Sequence, residues 1–232
     1  MSEAPIPTLL FLGDCNTRGT PDLAGLAYPE QLCRFGRFNS INCGHTMATI
    51  REGCEYLRTH LRPDIDLVCL QYGLVDAWRT FRWSPYVLYY PDRRARKFAR
   101  RLVKKYKKLC ARLGLNRLLG TRNVVPLQEY VARIEAIVAA VSPRPVVLIE
   151  TVPNRDASRN PDIRRYNAQL HKIAATRANV HVLPLFDEFT HYLADDGKGS
   201  QQIAMYSDPT HLSRTGHRLV AERLFILVRH VL

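Results

Sequence analysis

The sequence has no run of 18 apolar residues, so no membrane-spanning helix is expected. Its opening residues, Met1-Ser2-Glu3-Ala4-Pro5, place no basic stretch before a long apolar one. The short run Leu9–Leu12 therefore reads as a core strand rather than part of a signal peptide. Cys-x-x-Cys is absent, and several of the six cysteines (Cys15, Cys33, Cys43, Cys54, Cys69 and Cys110) fall inside apparent strands or helices. That argues against a disulfide framework and for free thiols in a reducing cytoplasm. No His/Cys/Asp/Glu cluster has metal-ligand spacing, so neither metal nor cofactor is expected. Internal repeats and low-complexity linkers are also missing. Acidic residues are absent from one long stretch: residues 93–122 hold 13 Lys/Arg and no Asp or Glu, which accounts for the whole net charge of +13. No recognised nucleic-acid-binding motif accompanies that basic stretch, so nucleic acid is not an expected partner.

What is present is the pattern of an α/β protein. The 232 residues, 46% hydrophobic, are enough for one large domain spanning residues 1–232. Short apolar runs at 7–13, 37–43, 65–71, 145–152 and 180–185 read as five strands. Amphipathic segments at 28–35, 46–61, 127–141, 161–177 and 213–231 read as helices. This alternation predicts a three-layer α/β/α sandwich around a five-stranded parallel sheet. An insertion at about 78–122 interrupts the rhythm. It opens with aromatic residues (Trp78, Phe81, Trp83, Tyr86, Tyr89, Tyr90) and continues into a basic amphipathic helix over 93–113, with Asp92 as N-cap and Gly114 as C-cap. Ala95, Phe98, Leu102, Tyr106, Leu109 and Leu113 form its apolar face. That face either packs on the core beneath a solvated basic face, or the helix contacts anionic lipid headgroups or a lipid-linked glycan.

Reactive groups in such folds gather at the carboxyl ends of the strands. Cys15, Gly44 and Gly73 each follow a strand, and Asp208-Pro209-Thr210-His211 precedes the final helix. Acyl transfer needs a nucleophile, a base, a group to orient the base, and oxyanion donors. Cys15, at a helix start that favours a thiolate, His211 and Asp208 supply the first three, and the N–H groups of Cys15 and Gly44 the last. The blander reading keeps Cys15 as a small buried residue and Asp208 and His211 as caps of the last helix. The other histidines read as surface or core residues.

At these residues the chain resembles the SGNH (GDSL-like) hydrolase superfamily. Gly13-Asp14-Cys15 resembles its first block with Cys for Ser, and Asn42-Cys43-Gly44 the second. Gly73-Leu74-Val75-Asp76 resembles the third, usually Gly-x-Asn-Asp, and Asp208-Pro209-Thr210-His211 the last. Tyr166-Asn167, after the loop that begins Thr151-Val152-Pro153, fits the family's fourth-strand region. The resemblance implies a flavodoxin-like sheet and a catalytic Cys15–His211–Asp208 set. It also implies an oxyanion and substrate site built around Gly44, Asn42, Gly73 and Asp76, with Asp76 fixing its loop. Two departures stand out. Cysteine forms a thioester, which suits acyl transfer to a second acceptor. Val75 cannot donate where the family supplies Asn, and losing such a donor costs about 10²–10³ in rate in a serine enzyme. Asn42 and Asn154 are the candidate replacements.

Two function classes follow. The first is an esterase or acyltransferase acting on an O-acylated small molecule, glycan or envelope precursor. The second is a catalytically silent fold used as a binding module. The free thiols make the cytoplasm the expected location, with residues 93–113 as the candidate contact to the inner face of an anionic membrane if the lipid reading of that helix holds.

Overall fold

The structure, a computed structural model, describes residues 5–193 and 204–232. Five parallel strands form the sheet: β1 (Thr8–Gly13), β2 (Asn39–Gly44), β3 (Leu67–Gln71), β6 (Val146–Ile149) and β7 (Val180–Leu183), in the order β2-β1-β3-β6-β7. Every residue of β1, β3 and β6 is buried. That is why these strands read as unbroken apolar runs: helices cover both faces. Side chains alternate between the faces. Leu10, Leu12, Val68, Leu70 and Leu148 join one core with α3 (Ile50–His60), α6 (Leu127–Val141) and α7 (Asn160–Ala174). Leu9, Phe11, Leu67, Cys69, Val147 and Ile149 join the other with α2 (Tyr28–Phe35), α8 (Phe186–His191) and α9 (Arg214–Val231). All six cysteines are free thiols. No described helix is long and apolar enough to cross a membrane.

The chain leaves β1 for β2 on one side and returns to β3 on the other. The strand order therefore reverses beside β1, and a crevice opens at the carboxyl ends of β1 and β3. The four-residue helix α1 (Cys15–Arg18) follows β1 at this point.

The insertion is clasped at its base by an antiparallel pair, β4 (Arg79–Phe81) with β5 (Thr121–Asn123), which periodicity does not reveal. Between them lie α4 (Arg94–Arg112) and α5 (Leu115–Leu118). Leu113 is the C-cap of α4, and Gly114, expected there, follows it in the left-handed conformation, φ 68°, turning the chain out of the helix. Asp92 does not cap it: Arg93 is the N-cap, and Asp92 instead pairs with Lys97 and Arg100 at 3.0 and 2.7 Å. Nor does the apolar face pack on the core. Within α4 only Cys110 is buried, and Phe98, Leu102, Leu109 and Leu113 stand exposed. The inward face holds Arg96 and Arg100, whose guanidinium groups donate to the carbonyls of Tyr90 (2.9 Å) and Leu88 (2.8 Å). Arg100 also lies over the Tyr89 ring.

One buried carboxylate ties this insertion to the start of α3. Glu52, three residues into the capping box of Thr49, accepts from the Thr49 N–H (2.8 Å), the Tyr86 hydroxyl (2.9 Å) and the Tyr89 N–H (2.7 Å). Glu52→Gln turns an amide N–H toward donors. The fold is expected to lose about 2 kcal/mol and the 85–92 loop to become protease-sensitive. An unchanged urea midpoint with unchanged proteolysis would show that Glu52 is not the anchor.

Candidate active site

Cys15 sits at the first turn after β1 because Gly13 lets α1 fold back onto the strand end. A Cβ there would lie 1.8 Å from Thr17 Oγ1. Thr17 Oγ1 in turn bonds Gln71 at the end of β3 (2.8 Å), and Asp14 caps α1 by accepting the Asn16 N–H (2.9 Å). Asp208 and His211 lie on a turn closed by the Ser207 N–H on the His211 carbonyl (2.9 Å) and by the Tyr206–Leu212 bridge. Asp208 Oδ1 accepts the N–H groups of Thr210 and His211, both at 2.7 Å, and Oδ2 lies 2.5 Å from His211 Nδ1. Partial burial pushes the Asp208 carboxyl upward, but those hydrogen bonds outweigh it and hold its pKa below the ordinary value. With Nδ1 engaged, Nε2 is the free ring nitrogen.

Asn16 draws the two halves together. Its Nδ2 donates to the Thr210 carbonyl (3.3 Å) and its Oδ1 accepts the Leu212 N–H (3.1 Å), so the residue after Cys15 grips both neighbours of His211. Asn154 donates to Thr210 Oγ1 (3.2 Å), and the Arg155 N–H donates to the Pro209 carbonyl (3.0 Å), bracing the same turn from the loop after β6.

The thiol departs from the expectation of a ready thiolate. Burial pushes the Cys15 pKa well above the usual thiol range, and the charges of Asp14 and Asp208 add to the rise. The N–H groups of Cys15 and Asn16 oppose it without overcoming it. Burial thus favours the neutral thiol.

The second and third blocks are internally engaged. The Gly44 N–H donates to Asn42 Oδ1 (2.9 Å), while Asn42 Nδ2 donates to the Thr17 carbonyl (3.0 Å) and Glu30 (2.7 Å). Gly44 permits the close approach of α1, since a Cβ would meet the Arg18 nitrogen at 2.3 Å. Gly73 turns with φ +134° and donates its N–H to Asp76 Oδ2 (3.0 Å), and the other Asp76 oxygen accepts the Ile50 N–H (2.9 Å) at the start of α3. Asp76 thus staples the loop after β3 to α3. Burial pushes both Asp76 and Asp14 up to about 7.

Val75 is buried and forms one wall of a cleft of about 580 Å³. Trp78, Tyr86 and Val103 continue its apolar lining, and Lys97, Arg101, Lys104 and Lys107 come from α4. Burial, with Arg122 nearby, lowers the Lys107 pKa. Cys15 and His211 do not line this cleft. Val75, of the third block, does.

Residues 11–219 match the GDSL-like lipase/acylhydrolase family. The chain belongs to this family. No curated protein matches it. Among solved structures, a lipase/acylhydrolase from Enterococcus faecalis has 16% identity and a TM-score of 0.64, over 97% of this chain and 96% of that one. An α/β hydrolase enzyme from the metagenome of Lake Arreo, Spain, has 17% identity and a TM-score of 0.65, over 97% and 96%. A catalytic mutant of an acetylxylan esterase from Geobacillus stearothermophilus has 17% identity and a TM-score of 0.63, over 97% and 94%. At these identities the likeness is one of fold.

In this GDSL-like chain the structure brings Asp208 and His211 into direct contact and ties Cys15 to them through Asn16. Asn42 with Gly44, and Gly73 with Asp76, form two separate pairs that shape the neighbouring loops. Sequence reading did not find Asn16. Its signal was its place directly after the nucleophile position, but its partners lie 194 and 196 residues away.

Proposed function

We propose that the chain is an acyl esterase or acyltransferase in which Cys15 is the nucleophile, His211 the general base and Asp208 the group that holds the base. The observation that carries this reading is the 2.5 Å His211–Asp208 contact, on a turn whose flanks are gripped by Asn16. A helix cap alone requires neither the ring contact nor the grip.

Because burial favours the neutral thiol, the proton moves during attack. Cys15 Sγ adds to the ester carbonyl as its proton passes to His211 Nε2. The C–O bond then breaks, and the leaving alcohol takes that proton, giving a thioester on Cys15. Water or an acceptor hydroxyl, deprotonated by His211, attacks the thioester and the thiol is restored. The Cys15 N–H is the proposed first oxyanion donor, joined by Gly44 once Asn42 releases its N–H. The substrate class is an O-acyl ester on a glycan or envelope precursor. The acetylxylan esterase among the similar structures supports a glycan, and the cationic α4 wall of the cleft supports an anionic one. Six free thiols support a reducing, cytoplasmic setting.

A second reading, a silent binding module, is favoured by Val75 and by the engaged Gly44 N–H. Intact-protein mass spectrometry after exposure to activated aryl esters and thioesters separates the two. The first reading expects one acyl adduct, mapped to Cys15 and absent in Cys15→Ala. No adduct, or label scattered over the other cysteines, supports the binding module.

A further inference from the structure

The outward face of α4 is an unpartnered apolar stripe bordered by cations. Phe98, Leu102, Leu109 and Leu113, at 62%, 51%, 54% and 64% exposure, follow one another at spacings that keep them on one side of the helix. Leu118, the last residue of α5, and Leu119 after it extend the exposed apolar surface. Of the twelve large apolar side chains exposed among the described residues, eight lie between Trp83 and Leu119. Scattered exposed apolar residues are ordinary, but a continuous group of this kind marks an interaction surface. The helical turn of 100° per residue puts Arg94, Arg101, Lys105, Lys108 and Arg112 along one border of the stripe, and all five are exposed. No acid lies anywhere in 93–122 to neutralise them.

We propose that α4 and α5 dock this protein, as a peripheral attachment, on an anionic phospholipid surface, with the stripe in the acyl–headgroup boundary and the basic border on the headgroups. This does not depend on the proposed catalytic role of Cys15. Two features favour a bilayer over a soluble polyanion. A polyanion has no use for five exposed leucines and a phenylalanine, whereas stable attachment to a membrane calls for an apolar and a basic signal together. The helix is also held stripe-outward by Arg96 and Arg100, which are fixed inward on loop carbonyls. Arg101, one of the border cations, also lines the Val75 cleft, so docking turns one rim of the cleft toward the headgroup layer.

The test is sedimentation of the full chain with vesicles of phosphatidylcholine alone and of phosphatidylcholine mixed with phosphatidylglycerol. Binding is expected only to the mixed vesicles at about 0.1 M salt. It should be lost near 1 M salt, where the screening length falls to about 3 Å. Each surface cation contributes about fivefold to such binding. Reversing four of them (Arg94→Glu, Lys105→Glu, Lys108→Glu, Arg112→Glu) is therefore expected to abolish it, with circular dichroism checking the fold. Leu102→Gln with Leu109→Gln keeps every charge and is expected to weaken binding about tenfold or more. Equal sedimentation with both vesicle types, or none with either, overturns the proposal. So does full binding by the double glutamine variant, which would instead identify a purely electrostatic polyanion surface.

Discussion

His211→Ala is expected to slow acylation of Cys15 by about 10³-fold or more at pH 7. An ordinary cysteine is only about 3% thiolate at that pH. Cys15 holds less, because burial and the Asp14 and Asp208 charges raise its pKa. Without the imidazole, the reaction depends on that small thiolate pool. The sign of the pH dependence follows. A thiol titrating far above neutrality gains about tenfold in thiolate per pH unit, so the variant's acylation rate should climb with that slope from pH 7 to about 9. The parent, with His211 taking the proton during attack, should be far less steep over the same range. Stopped-flow release of a nitrophenol from an activated ester measures both profiles. A variant that acylates at the parental rate with the parental profile would falsify the base role and leave Cys15 as an ordinary modifiable thiol.

The Asp208–His211 contact was legible because its geometry is local. Asp208 and His211 are three residues apart, and a turn of that length brings carboxylate and ring together without help from the rest of the fold. The central strands were legible for a similar reason. Residues 8–13, 67–71 and 146–149 are buried on both faces, so apolar runs mark them directly. Boundaries slipped where apolarity outlasts the ladder: Thr151 and Val152 are buried, yet the fourth strand of the sheet ends at Ile149. The helix expected from Thr46 starts at Ile50, because Met47 is left-handed at φ 65° and the capping box lies at Thr49–Glu52. The orientation of α4 was not legible at all. Periodicity says that a helix has two faces, not which one is inward, and the inward choice rests on carbonyls of Leu88 and Tyr90 that long guanidinium side chains reach. The state of Cys15 was misread for a comparable reason. Its place at a helix start suggested a thiolate, but the helix has four residues, and burial dominates the thiol.

In a Cys15→Ser chain, adding Val75→Asn is expected to raise esterase activity on small aryl esters by about 10²-fold, the scale of one oxyanion donor. A serine hydroxyl is a weaker nucleophile than a thiol and relies more on donors for the developing oxyanion. The donors at hand are few: the Gly44 N–H is engaged by Asn42, and Asn42 is itself spent on Thr17 and Glu30. Val75 stands where the resemblance to the family's third block expects a donating Asn, and it borders the cleft. The loop is fixed on either side by Gly73 and Asp76, which limits how far an asparagine at the buried position 75 can shift the backbone. The comparison runs across the parent, Cys15→Ser, and Cys15→Ser with Val75→Asn, each checked for an unchanged melting midpoint. A gain confined to the double variant places the deficit in the oxyanion site and marks the parent as tuned to thiol chemistry. Equal activity in both serine variants shows that another group already supplies the donor. Silence in all three, with the folds intact, removes the enzyme reading and leaves the binding module.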